Sequence, residues 1–462
     1  MIGQWRLRAA FAERLSRMYG REVPAYTTLV DVSREVNEDV LRARGADAER
    51  LGSIARVTAE RHGAVRVGTP EEMRQVARVF GALGMHPVGF YDLRDTASSA
   101  LPVVSTAFRP VAEDELARNP FRVFTSMLTV SDPRFFDADL RERLTAFLAG
   151  RELFPPELLA LADRAEAERA LPEEEAERFL DLAVRAFELS SEPIDRDWYT
   201  ALERISAVAA DIGGVRSTHI NHLTPRVLDI DELYRRMTER GIEMIDTIQG
   251  PPRWAGPDVL LRQTSFRALA EPRALRAADG GVSSGTLRVR FGEVEARGIA
   301  LTREGRALYD RMLALVDERA AHRPAAERGD IARAVWAEHL PSSERELAAR
   351  GLGFFTYHVV PDRPRDGSRP PTDIEGLLDG GWVRAEPIVY EDFLPRSAAG
   401  IFQSNLSDTG SRNSGQVGSS YDVDSLSGVL GREVVDPFAL YERQRDRSLA
   451  HVARALSPQG AS

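Results

Sequence analysis

A chain of 462 residues, 43% hydrophobic and 29% charged, can bury a large core, and it has no apolar run of membrane-spanning length. Cysteine and lysine are both absent, which excludes disulfides, thiolate nucleophiles, iron–sulfur and cysteine–zinc ligation, lysine Schiff bases and a P-loop lysine. The net charge of −10 argues against a nucleic-acid binder, and since all 61 basic residues are arginine, an anionic substrate has to be held by specific arginines.

The opening Met1-Ile2-Gly3-Gln4-Trp5-Arg6 lacks a signal-peptide apolar region, so a cytoplasmic location and no membrane partner are expected. Trp5, Leu7, Phe11, Leu15 and Met18 share a helical stripe over 5–18, and a second helix is expected over 33–42; together they read as a helical cap, 1–60. A first module, 61–130, begins with a strand at 62–68 and a helix from Pro70 to about Leu83. Strands near 87–93, 103–108 and 121–130 complete a βαβββ order. From 131 to 216 the pattern turns helical and acidic, and the glutamates after Pro172 read as a solvated helix start. A second module, 217–300, repeats the order: a strand at 217–223, a helix capped by Asp229 or Asp231 and ending near Gly241, and strands near 243–249, 259–269 and 286–297. Residues 301–462 add helices near 303–318 and 327–340, short strands near 353–360 and 383–390, a proline-rich loop at 361–371, a Ser/Gly-rich stretch at 404–420 readable as lid or linker, and a C-terminal helix. The fold class expected is α+β, with two βαβββ modules forming a curved sheet or barrel around a metal, a helical N-terminal cap and large helical insertions, the whole acting as one catalytic unit.

Each module opens on a strand carrying histidine. Within the first, His62, Ala64 and Arg66 point the same way, which sets a potential ligand beside a cation. His219 and His222 are three apart and on a strand face opposite sides. His222 is the better ligand because it leads into the strand-to-helix turn as His62 does. On the closing strand Phe291, Glu293 and Glu295 share a face, a costly arrangement unless a cation compensates, so Glu293 or Glu295 is the carboxylate candidate. Two imidazoles and one carboxylate with open positions form the triad of non-heme Fe(II) oxygenases.

The segment Ile220 to Asp231 resembles the opening strand and helix of the vicinal oxygen chelate superfamily. Phe291 to Gly298 resembles the closing strand of 4-hydroxyphenylpyruvate dioxygenase, which favours Glu293. Six segments in order, Glu60 to Thr69, Ser105 to Pro110, Asn119 to Ser126, His219 to Asp231, Leu260 to Phe266 and Tyr390 to Asn405, resemble the bacterial 2-oxoadipate dioxygenase/decarboxylase family, formerly a domain of unknown function. That resemblance implies an Fe(II) enzyme turning 2-oxoadipate and dioxygen into 2-hydroxyglutarate and carbon dioxide in lysine breakdown. By position it implies His62, His222 and Glu293 as metal ligands, with His62 also bordering the substrate. It implies Arg66 as the holder of a substrate carboxylate and the backbone around Arg396 and Ser397 as the closure of the pocket. Arg396 departs from the family pattern, in which a small apolar residue is usual. Arg262 and Gln263 are further candidates for the second carboxylate or for pairing with Glu295, with Arg109 and Arg122 behind them, and a salt bridge to Glu60 is the plain alternative for Arg66. The rival functions are an oxygen-independent Zn(II) or Ni(II) isomerase or lyase, and a non-catalytic small-molecule binder.

Overall fold

A computed structural model of the chain describes residues 1–95, 100–288, 290–361, 369–406, 416 and 418–457. The first module has the expected order: β1 (Arg61–Val67), a helix over Pro70–Ala82, β2 (His86–Asp92), β3 (Val103–Arg109) and β4 (Arg122–Leu128). Its helix starts where Thr69 and Glu72 form a capping box ahead of Pro70 at the first turn. β1 is buried along nearly its whole length because it is central, parallel to β4 on one side and antiparallel to β5 (Ile220–Pro225) on the other. The full sheet order is β2-β3-β4-β1-β5. Close approach across the β1–β5 junction depends on Gly63, where a Cβ would come within 2.7 Å of the Ile220 side chain.

β5 is also the first strand of the second module, so the two modules join through their opening strands. After the helix Ile230–Glu239, capped by Asp229, come β6 (Leu261–Ser265), a hairpin of β7 (Glu271–Arg276) and β8 (Val282–Leu287), and β9 (Glu293–Arg297). β9 lies antiparallel to β6 and reaches β5 through a parallel bridge between Arg226 and Glu295. Among the described residues the sheets are open and do not close into a barrel.

Two expected strands differ. Residues 243–249 form isolated bridges, Met244 to Phe266 and Gln249 to Gln263, because the register slips by two residues between them. The expected strand 286–297 is two strands, β8 and β9. The chain leaves the hairpin where Arg290 turns to Glu271 and Glu22, and Gly292 then lies so close to the Phe266 ring that a Cβ would sit 2.1 Å from it. The N-terminal helices are longer than expected, Gln4–Glu22 and Pro24–Arg44, the second starting at a proline in its first turn. Helices over Ala138–Ala149, Pro156–Glu168, Glu173–Arg185, Arg196–Glu203 and Ala207–Gly213 fill the interval between the modules. In the last third, Phe355–Val359 pairs antiparallel with Val383–Pro387, and helices run over Pro395–Leu406 and Pro437–Leu456. Most of the proline-rich loop and of the Ser/Gly-rich stretch lies outside the described residues. No helix among the described residues is long and apolar enough to cross a membrane.

Candidate metal centre

The junction of the two modules brings the three expected ligands together. Ala64 stands opposite His222 and His62 opposite Thr224, so the two imidazoles are diagonal neighbours on one face of the β1–β5 pair. Their Nε2 atoms are 3.3 Å apart. β9 delivers Glu293, whose carboxylate oxygens lie 3.5 Å from His62 Nε2 and 3.4 Å from His222 Nε2. One donor atom from each residue falls within 4.8 Å of the others, and all three side chains are buried. His219 is turned away, with Nε2 3.3 Å from Asp211 Oδ1 and 3.1 Å from Asn221 Nδ2.

The electrostatics separate the two glutamates that spacing left open. Glu295 Oε2 lies 2.8 Å from His62 Nδ1, on the far side of the ring from the cluster, and Arg297 grips the same carboxylate at 2.7 and 2.9 Å. Burial would raise the Glu295 carboxyl, but Arg297, His62 and Arg122 hold it down at about 2. Among the described residues Glu293 meets the two imidazoles and a hydrogen bond from Gln263 Nε2, and no arginine. Burial lifts its carboxyl above the ordinary range despite His62 and Gln263. Burial likewise drives the His222 imidazole well down, reinforced by His62 and Arg66, so it is neutral with an available lone pair. His62 is pulled down by burial and lifted further by Glu295 and Glu293. A buried carboxylate with no arginine partner among the described residues, converging with a neutral imidazole, fits a divalent cation, which would bring the compensating charge.

Around this cluster sits a dense ionic layer. Glu60 accepts from Arg122 at 2.6 Å and Arg226 at 2.9 Å, and Arg122 and Arg56 both reach Glu391. The aromatic rings of Phe393 and Phe291 cover His62 and His222 at centroid distances of 5.0 and 5.1 Å.

The other sequence candidates fall as follows. Arg66 is buried, but its partner is Asp211 and not Glu60; Asp211 also accepts from Asn221 Nδ2 at 2.8 Å. Arg262 pairs with Asp231 at 2.7 Å and not with Glu295, Arg109 pairs with Asp392 at 2.8 Å, and Gln263 serves Glu293. Ser397 is buried near the start of its helix, whereas the Arg396 side chain is half-exposed and held by Asp317 at 2.6 Å. Sequence reasoning missed Asp211, although one carboxylate inside the apolar run Val208-Ala209-Ala210-Asp211-Ile212 signals a buried acid with a partner. It also missed Arg297 and Phe393, whose roles depend on contacts across 90 or more residues.

A family model described as 2-oxoadipate dioxygenase/decarboxylase matches residues 11–405. The chain belongs to this family. It is 57% identical over 436 residues to the 2-oxoadipate dioxygenase/decarboxylase of Mycobacterium tuberculosis, covering 94% of this chain and 95% of that one. The protein of the same name from Pseudomonas putida is 40% identical, over 98% of this chain and 97% of its own. The crystal structure of the Pseudomonas putida hydroxyglutarate synthase in complex with 2-oxoadipate matches with a TM-score of 0.84 and 38% identity, covering 99% of each chain. Family membership sets aside the non-catalytic binder, and the α+β fold agrees with this structural match.

Proposed function

We propose that His62, His222 and Glu293 hold one Fe(II) ion and that the protein converts 2-oxoadipate and dioxygen to 2-hydroxyglutarate and carbon dioxide. The observation that carries this reading is the buried convergence of two imidazoles and a carboxylate in a chain of the dioxygenase family. When bound, ferrous iron supplies open coordination positions for a 2-oxo acid and dioxygen and the redox capacity that dioxygen chemistry needs. The chain's residues do the rest. His222, neutral at pH 7, presents its Nε2 lone pair, and the Glu295 contact at Nδ1 directs the His62 lone pair at Nε2 towards the same point. Phe393 and Phe291 keep water off the outer faces of the two imidazoles.

Arg66 would hold the distal substrate carboxylate, kept in place by Asp211 behind it. At the start of the Pro395–Leu406 helix the amides of Arg396 and Ser397 have no acceptor within their own helix, which suits them to a second carboxylate. Substrate contact at position 396 then falls to the backbone, since the side chain is committed to Asp317. The site draws on 61–67, 220–225, 293–297 and 390–397, so we read the chain as one catalytic unit with the cap and insertions as its support. On the resemblance, the reaction belongs to lysine breakdown.

The test is oxygen uptake by anaerobically prepared, Fe(II)-loaded protein on adding 2-oxoadipate, with carbon dioxide and 2-hydroxyglutarate measured in parallel. Uptake matched to both products and abolished in His222→Ala is expected. Turnover without oxygen uptake would sink the proposal.

A further inference from the structure

Glu295 and Arg297 are fully enclosed, and an enclosed ion pair is expensive to assemble. Their contacts form a closed circuit. Glu295 Oε2 is 2.8 Å from His62 Nδ1, and both of its oxygens meet Arg297. Arg297 NH1 donates to the carbonyls of Tyr390 at 2.8 Å and Asp392 at 3.0 Å. The next residue, Phe393, returns edge-on to the His62 ring and lies 5.6 Å from the Arg297 guanidinium. One planar, five-donor cation thus touches both the acid behind the histidine and the segment that leads to Ser397. An ammonium lacks the fork to make these bonds together.

We infer that Glu295 is a positioning residue for the metal ligand His62, and that Arg297 couples that histidine to the 390–393 segment at the substrate side of the site. This rests on the reading of His62 as a ligand. The carboxylate, 2.8 Å from Nδ1, braces the ring so that Nε2 is the nitrogen facing Glu293 and His222. Arg297 holds the carboxylate in that orientation through two hydrogen bonds, and through Tyr390 and Asp392 it fixes the approach of the backbone to Ser397. Loosening Arg297 therefore disturbs metal affinity and substrate affinity together, whereas loosening Glu295 acts first on the metal.

The experiment measures dissociation constants for Fe(II) (anaerobically), Co(II) and Zn(II) by competition with a chromophoric chelator, with thermal midpoints and KM for 2-oxoadipate. The proteins are the parent, Glu295→Gln, Arg297→Lys, His62→Ala and, as a buried ion-pair control, Arg94→Lys. Glu295→Gln is expected to weaken metal binding about 10- to 100-fold and to alter the visible spectrum of bound Co(II). Arg297→Lys is expected to weaken metal binding by roughly tenfold and also to raise KM. Arg94→Lys, which loosens the pairs to Asp92 and Asp132, should lower the thermal midpoint and leave the metal constants alone. If Glu295→Gln and Arg297→Lys bind metal as tightly as the parent while His62→Ala does not, the inference is wrong and the ligand reading stands. If His62→Ala binds as tightly as the parent, the ligand reading has failed. A readout on the parent covers variants that do not fold: Zn(II)-loaded, 15N-histidine-labelled protein should show an exchange-protected imidazole Nδ1–H signal that His62→Ala removes, and its absence overturns the inference.

Discussion

Replacing Arg66 by Gln removes two things at once, and a second substitution tells them apart. Arg66 pairs with Asp211, and both side chains are almost fully buried. Breaking such a pair from one side costs roughly 3–5 kcal/mol, because the remaining charge is stranded. Here Asn221 Nδ2 still donates to Asp211 at 2.8 Å, which places the expected loss of stability at the lower end, about 3 kcal/mol. The substrate side adds a separate loss. A charge-assisted hydrogen bond contributes about 1.5–3 kcal/mol, so each bond Arg66 makes to the substrate carboxylate is worth roughly ten- to hundredfold in KM. In Arg66→Gln/Asp211→Asn the stranded charge is gone, so stability should recover by most of that loss while KM stays as high as in the single variant. Urea unfolding and oxygen-electrode kinetics on the parent, both single variants and the double give the full cycle. A double variant that recovers KM along with stability would refute the assignment of Arg66 to substrate and leave it a structural pair.

Three shorter predictions follow from the same geometry. Glu293→Gln should abolish tight metal binding yet raise the thermal midpoint of the metal-free protein near pH 8. Burial lifts the native carboxyl, so its ionised form costs stability as pH rises through that lifted value, and the amide avoids the cost. Calorimetry of the metal-free proteins checks this, and a lower midpoint in the variant would contradict it. His219 gives an acid-side signature: burial holds its imidazole at about 4 against an ordinary 6.5, so the unfolded chain takes up the proton first as pH falls. Stability tied to His219 is complete above pH 6.5 and lost between 6.5 and 4, at most roughly 3 kcal/mol, and His219→Gln should flatten that part of the pH–stability curve relative to the parent. Finally, Arg396→Ala should leave KM and product ratio unchanged and cost less than about 1 kcal/mol, since it breaks only a half-exposed pair with Asp317; a change in preferred 2-oxo acid would show that the side chain enters the pocket.

The first module was legible in the sequence because its signals are local. Thr69-Pro70-Glu71-Glu72 marks a helix start, and the strand just before it, Arg61–Val67, has the length of a sheet-core strand. His62 and His222 were legible for a related reason: each stands at the same place in a repeated order of elements. The second module was harder. Within 286–297 the apolar positions are 287, 289 and 291 and then 294 and 296, so the alternation changes phase at Gly292, where the chain packs against Phe266, and one expected strand becomes two. The partner of Arg66 was out of reach too, since Asp211 lies 145 residues away on a helix that belongs to neither module. Residue types at a site were readable where they repeat; their pairing was not, because pairing is decided by which elements meet.

Glu293 and Glu295 show why pairing decides function. They are two apart on one strand, share a face, and are equally buried, so neither propensity nor periodicity tells them apart. Their surroundings differ in one respect. Arg297 and Arg122 lie within reach of Glu295, while among the described residues no arginine pairs with Glu293. The same burial that would lift both carboxyls is overcome at one and left standing at the other. A carboxylate already neutralised by two guanidinium groups gains little from a divalent cation and is better used to orient an imidazole, whereas one left uncompensated beside two Nε2 atoms binds such a cation with its full charge. Exchanging these environments should exchange the roles: placing an arginine within reach of Glu293 would cost metal affinity even with all three ligands intact.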